Sequence, residues 1–138
     1  MENLKPCQKI LIVEDQYLIA MMIEDAVIAA GFDVCGMAAC RQDAIDLFDE
    51  ADIALVDVNL RDGKTGPDNG AELAAAGKTV IFMTGNPEEV ASGVSGALGV
   101  ISKPVLDAEL AELVSYAAVR CAGGDNSALP PRNLHLFA

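Results

Sequence analysis

The sequence predicts an α/β domain: a doubly wound, five-stranded parallel sheet with helices on both faces. Short apolar runs rich in β-branched residues recur along the chain, each about the length of a buried strand. Between them lie segments whose apolar residues return every three or four positions, as on one face of a helix. Strands alternating with helices imply parallel pairing and right-handed crossovers. With 138 residues, 52% of them hydrophobic and no Trp, the chain has the material for one core of helices packed on a sheet and no room for a second module.

Each element has its own signal. Lys9-Ile10-Leu11-Ile12-Val13 is an unbroken apolar run closed by Glu14-Asp15, a strand covered on both faces. In QYLIAMMIEDAVIAAGF, Leu18, Met22, Val27 and Ala30 fall near a helical spacing, and Gly31 is placed to end the helix. Val34 to Ala38 reads as the second strand, and RQDAIDLFDE sets Ala44, Ile45 and Phe48 on one helical face. Ile53 to Val58 is the third strand. RDGKTGPDNG, dense in Gly, Pro and Asp, is a loop before a short helix through Ala71 to Ala75. Thr79 to Met83 and Gly99 to Ser102 are strands four and five. The segment between them carries Gly93 and Gly96, each costing up to ~1 kcal/mol of helix propensity, so its helix should be short or mobile. The last helix runs from Leu106 to Val119 with Leu110, Leu113 and Ala117 inward. These readings divide the chain into an extension (1–7), a domain (8–121) and a tail (122–138) without periodicity, expected to be disordered or to dock through Leu134 and Phe137.

Composition removes several function classes. A net charge of -12 without a basic stripe argues against a nucleic-acid partner, because neutralising phosphates needs clustered Lys and Arg. No apolar run approaches a membrane span and the N-terminus lacks the features of a secretory signal, so the expected location is cytoplasmic. Cys7, Cys35, Cys40 and Cys121 have no metal-ligand spacing, and in that compartment they should stay reduced.

One position resists a purely structural reading. Asp57 interrupts the apolar run IALVDVNL, and an unpaired buried carboxylate is costly. Glu14 and Asp15 end strand one, Thr84 ends strand four and Lys103 ends strand five, so all converge with Asp57 on the carboxyl rim where such sheets place their chemistry. Taken singly, each has a plain reading: Glu14-Asp15 as a helix cap, Thr84 and Gly85 as turn residues, Lys103 before Pro104 as a loop lysine. Together they do not. Two carboxylates ~4 Å apart repel by ~4 kcal/mol at an effective dielectric of about 20, so three require a cation; oxygen-only ligands favour Mg2+.

ILIVED, ALVDVNL, IFMTG and ISKP, in that order, resemble the signature segments of the receiver domain of bacterial two-component response regulators, a likeness that covers about residues 8–120. The resemblance implies a flavodoxin-like strand order 2-1-3-4-5 and phosphorylation of Asp57 by a sensor histidine kinase. It implies that Asp15 and Asp57 bind Mg2+ with the backbone carbonyl of Asn59, Glu14 acting through water, and that Lys103 and Thr84 contact the phosphoryl oxygens. Two features depart from the pattern. Receivers usually carry Phe or Tyr three residues before the lysine, where Val100 stands. Phe82-Met83-Thr84-Gly85 is similar to a subgroup named for a Phe-Ala-Thr-Gly-aliphatic-Tyr motif that lacks this aromatic switch, although Met83 and Asn86-Pro87 differ from it. The long NLRDGKTGPDNG loop also resembles that subgroup and receivers of the alphaproteobacterial general stress response, which implies a kinase of the HWE or HisKA2 class.

The expected function is that of a single-domain response regulator, not an enzyme acting on an external substrate. Its output would be partner docking, or relay to a histidine phosphotransfer protein. A haloacid dehalogenase-type phosphatase would need a second Asp two residues after the nucleophile, where Asn59 stands. A phosphorylation-independent receiver-like binding module would be expected to have lost an acidic residue or Lys103, and all are present.

Overall fold

The computed structural model describes residues 7–60, 62–123 and 129–137. Strands β1 (Lys9–Val13), β2 (Asp33–Ala38), β3 (Ile53–Val56), β4 (Thr79–Thr84), β5 (Gly99–Ser102) and β6 (Leu134–Leu136) form one sheet in the order β2-β1-β3-β4-β5-β6. The first five are parallel in the expected order 2-1-3-4-5. Helices α1 (Tyr17–Ala29), α2 (Arg41–Leu47), α3 (Gly66–Ala75) and α4 (Asp107–Cys121) cover its two faces.

Strand alternation sorts the core into two layers. Ile10, Ile12, Ile53, Leu55, Ile81, Met83 and Ile101 pack with α1 and α4. Leu11, Val13, Ala54, Val56, Val80, Phe82 and Val100 pack on the opposite face with Leu73 of α3. Both faces being covered, the strands read as continuous apolar runs instead of alternating ones.

Four expectations need correction. The tail is not disordered but docks through Leu134 and Phe137, the expected alternative: it carries β6, antiparallel to β5, with Leu134 buried, Phe137 packed on the core and its N–H donating to the Leu98 carbonyl at 3.0 Å. It orders because β5 is an open parallel edge whose unpaired groups take up a strand, while the Asn133 amide bonds Glu109 on α4. Residues 1–6 of the predicted extension and 124–128 and 138 of the predicted tail lie outside the described residues.

Cys7 and Cys121 form a disulfide, with Cα atoms 6.1 Å apart, in place of two reduced thiols. The start of β1 and the end of α4 meet on one side of the sheet, which positions two cysteines distant in sequence against each other. The loop after β3 ends sooner than its composition suggests: α3 begins at Gly66, with Pro67 in the first turn, where a missing N–H costs nothing. Finally, Leu18 and Met22 are exposed at 74% and 66%, and the buried stripe of α1 is Ala20, Ile23, Ala26 and Val27. The helix is apolar almost all round, so periodicity alone could not choose its inward face.

Between β4 and β5 the chain makes a single 3-10 turn, Pro87–Val90, and no α-helix. Gly93 and Gly96 follow with φ of +92° and +82°, a conformation that ends helices.

Candidate functional site

The strand register determines which side chains meet at the rim. Counting by twos from Ile10 and Ile12 reaches Glu14; from Ile53 and Leu55 it reaches Asp57; from Ile101 it reaches Lys103. All three therefore emerge on the α1/α4 side of the sheet. There the Lys103 ammonium bonds Glu14 Oε1 and lies 3.2 Å from Asp57 Oδ2. Glu14 and Asp57 are only 4% and 9% exposed, so their charges are compensated chiefly by this lysine. The Gln16 N–H donates to Glu14 Oε2 at 3.1 Å, fixing the second oxygen.

Glu14, Asp15 and Asp57 each offer a carboxylate oxygen, all within 4.8 Å of one another. That oxygen-only set is of the kind one hard cation bridges. Burial pushes the Glu14 carboxyl above its ordinary pKa, assisted by the Asp57 charge and opposed by Lys103 and the Gln16 N–H. For Lys103, burial works against the ammonium, but the Glu14 hydrogen bond and the Asp57 charge outweigh it and hold the pKa above the usual lysine value. Lys103 is therefore a cation at every physiological pH, shared between two acceptors.

Thr84 counts with Val80 and Phe82 and is 1% exposed on the α3 side of β4, where its Oγ1 accepts the Asn86 N–H at 3.1 Å. Gly85 is exposed, and a Cβ there would meet open space. Pro104 follows Lys103 through a cis peptide. The Asn59 N–H lies 3.4 Å from Asp57 Oδ1, which places the Asn59 backbone beside the carboxylate. Val100 is buried at 3% exposure, and its register partner on β6 is His135.

Sequence reasoning missed Gly66, Lys64 and Glu89. A Cβ on Gly66 would collide with the Asp57 carbonyl and with Val58, so α3 can abut the end of β3 only through a glycine. The Gly66-Pro67 pair was the available signal, hidden by being read as loop. Glu89 accepts the Asn59 side-chain amide at 3.1 Å and pairs with Lys64 at 2.9 Å, a contact between two loops that no local spacing reveals.

Fold and rim together define an α/β domain with three carboxylates and a lysine at the carboxyl ends of its central strands. The chain belongs to the response regulator receiver domain family, whose pattern matches residues 10–115. It is 34% identical over 114 residues to the phyllosphere-induced regulator PhyR of Methylorubrum extorquens, covering 79% of this chain and 43% of that protein. The chain thus spans less than half the length of that curated relative.

Among solved structures, the PhyR receiver domain of Erythrobacter litoralis has a TM-score of 0.70 at 26% identity, over 88% of this chain and 95% of that one. The anti-anti-sigma factor PhyR of Bartonella quintana has a TM-score of 0.66 at 28% identity, over 83% of this chain and 48% of that one. Among the described residues, no helix is long and apolar enough to cross a membrane.

Proposed function

We propose that this receiver domain accepts a phosphoryl group on Asp57 from a sensor histidine kinase and signals through the resulting change of shape. The observation that carries this reading is the Asp57 carboxylate at the end of β3, bonded to Lys103 and grouped with Glu14 and Asp15 at cation-ligand spacing. Asp15, Asp57 and the Asn59 carbonyl would hold Mg2+, with Glu14 acting through water. The ion would supply neutralisation of charge on the phosphoryl oxygens.

The chain's own residues do the rest. Lys103, already beside Asp57 Oδ2, supplies a second positive charge to the equatorial oxygens. Thr84 must turn its hydroxyl from the Asn86 N–H toward the phosphoryl group, and that exchange pulls on the chain just after β4. The space above Gly85 admits the donor. Beside Lys103 lies an apolar groove lined by Ile19, Met22, Pro104, Val105 and Leu110, and Leu18 and Leu106 are exposed. A kinase that delivers a phosphohistidine to Asp57 covers this rim, and its helices find apolar surface there.

We assign the kinase to the HWE or HisKA2 class on the likeness of the NLRDGKTGPDNG segment to receivers of the alphaproteobacterial general stress response, and place the protein in the cytoplasm. The output is docking of a partner, or relay to a histidine phosphotransfer protein, not catalysis on an external substrate. The test is incorporation of phosphate from acetyl phosphate, followed by intact-mass spectrometry. Wild type should gain one acid-stable, base-labile phosphoryl group only with Mg2+, and Asp57→Asn none. Modification without Mg2+, or undiminished in Asp57→Asn, would overturn the assignment.

A further inference from the structure

Glu89 stands where two loops cross. Its carboxylate receives the Asn59 amide at 3.1 Å through one oxygen and the Lys64 ammonium at 2.9 Å through the other. Asn59 lies two residues after Asp57 and its own N–H points at Asp57 Oδ1. Lys64 belongs to the β3–α3 loop and is 73% exposed, with nothing in its own ion pair to prevent it from swinging to another anion. The next residue after Glu89 is Val90, 2% exposed, anchored in the layer that holds Phe82 and Val100 and against which Phe137 packs. Phe137 lies over Gly93, where a Cβ would be 3.7 Å from its ring, and 6.3 Å from the Phe82 ring.

We propose that the Lys64–Glu89–Asn59 bridge is the latch of this receiver: it holds the 3-10 turn, and through Val90 and Phe137 the β6 strand, in the resting position until a phosphoryl group on Asp57 competes for Lys64. This rests on the reading of Asp57 as the phosphoacceptor and supplies the transmitting element that Val100, lacking an aromatic ring, does not. New phosphoryl charge beside Asn59 attracts Lys64 and repels the Glu89 carboxylate, so both halves of the bridge weaken together. The latch is weak because it is exposed, and a weak latch is what a reversible switch needs.

Amide NMR with Mg2+ and beryllofluoride on wild type, Glu89→Ala and Lys64→Met tests the idea. In wild type the mimic should shift residues 87–97 and 134–137. Glu89→Ala should show those shifts partly in place before the mimic is added, and should bind beryllofluoride about two- to fivefold tighter, since the exposed pair no longer has to be broken. Lys64→Met should show the same released segment without the gain in affinity, because the cation that follows the phosphoryl group is gone. The double reversal Lys64→Glu with Glu89→Lys should return 87–97 to its resting positions without the mimic.

Variants whose 87–97 and 134–137 resonances match wild type in both states would overturn the latch while leaving phosphorylation at Asp57 intact. Failure of the mimic to perturb Asp57 and Lys103 even in wild type would overturn the phosphoacceptor reading, and the latch with it.

Discussion

The two sides of the Asp57 rim are built by opposite means. Toward α1 and α4, Glu14, Asp57 and Lys103 project from strand ends, are largely buried and bond one another directly. Toward the β4–β5 connection, contacts run between loops through exposed Lys64 and half-buried Asn59, and the backbone passes through one 3-10 turn and two glycines at positive φ. Ion pairs of the first kind are expensive to break from one side; those of the second, screened by water, contribute little. Chemistry that depends on fixed distances sits on the stiff side. The side that has to move is held by little.

Lys103→Met attacks the stiff side at its centre. It leaves two buried carboxylates without a cation, and should lower unfolding free energy by about 3–5 kcal/mol in urea titrations without divalent metal. The deficit carries a pH signature. Glu14 already has a raised folded-state pKa from burial, and loss of Lys103 removes the main influence holding it down. A carboxyl whose folded pKa exceeds its unfolded one stabilises below the unfolded value, and that contribution is lost as pH rises through the folded value. The variant's deficit should therefore be greatest at neutral pH and shrink toward pH ~4.5. Wild type loses the lysine's contribution only at alkaline pH, above the ordinary lysine range, because the folded pKa of Lys103 is raised. A deficit that grew on acidification would refute this account of the rim.

The same side is tied by Cys7–Cys121, which joins residues 114 apart in sequence. Cys7→Ser should cost about 2–4 kcal/mol under oxidising conditions, chiefly by freeing the unfolded chain, and reductant should bring wild type down to the variant. Equal midpoints for wild type with and without reductant would show that the link adds nothing to stability.

This division also explains what could be read in advance. Strands β1, β3, β4 and β5 are apolar runs whose positions follow from composition alone, and once they are parallel their carboxyl ends must bring Glu14, Asp57, Thr84 and Lys103 to one rim. Alternation by twos further separates Thr84, on the α3 side, from the other three. The disulfide and β6 were not legible, because each joins segments distant in sequence and depends on which edge the sheet leaves open. Glu89 and Lys64 escaped for the same reason. The inward face of α1 was hidden by excess signal: Leu18, Met22 and Ile23 are equally apolar, and only the fold decides that Ile23 turns inward while the other two stay exposed.

The smallest expected effect lies on the compliant side. Phe137 is half-buried between Phe82 and Gly93, so Phe137→Ala forfeits part of the ~3–5 kcal/mol that deleting a fully buried ring costs, about 1–2 kcal/mol here. What matters is where the loss falls. Amide exchange should quicken at 87–97 and 134–137, where the ring holds the connection against the sheet, and stay unchanged in β1, β3 and α1. Mg2+ affinity should also stay within error of wild type, because none of the rim carboxylates touches that ring. A variant that exchanged faster throughout, or bound Mg2+ more weakly, would show that the two sides form one cooperative unit. The contrast between a stiff chemical side and a loosely held responding side would then fail.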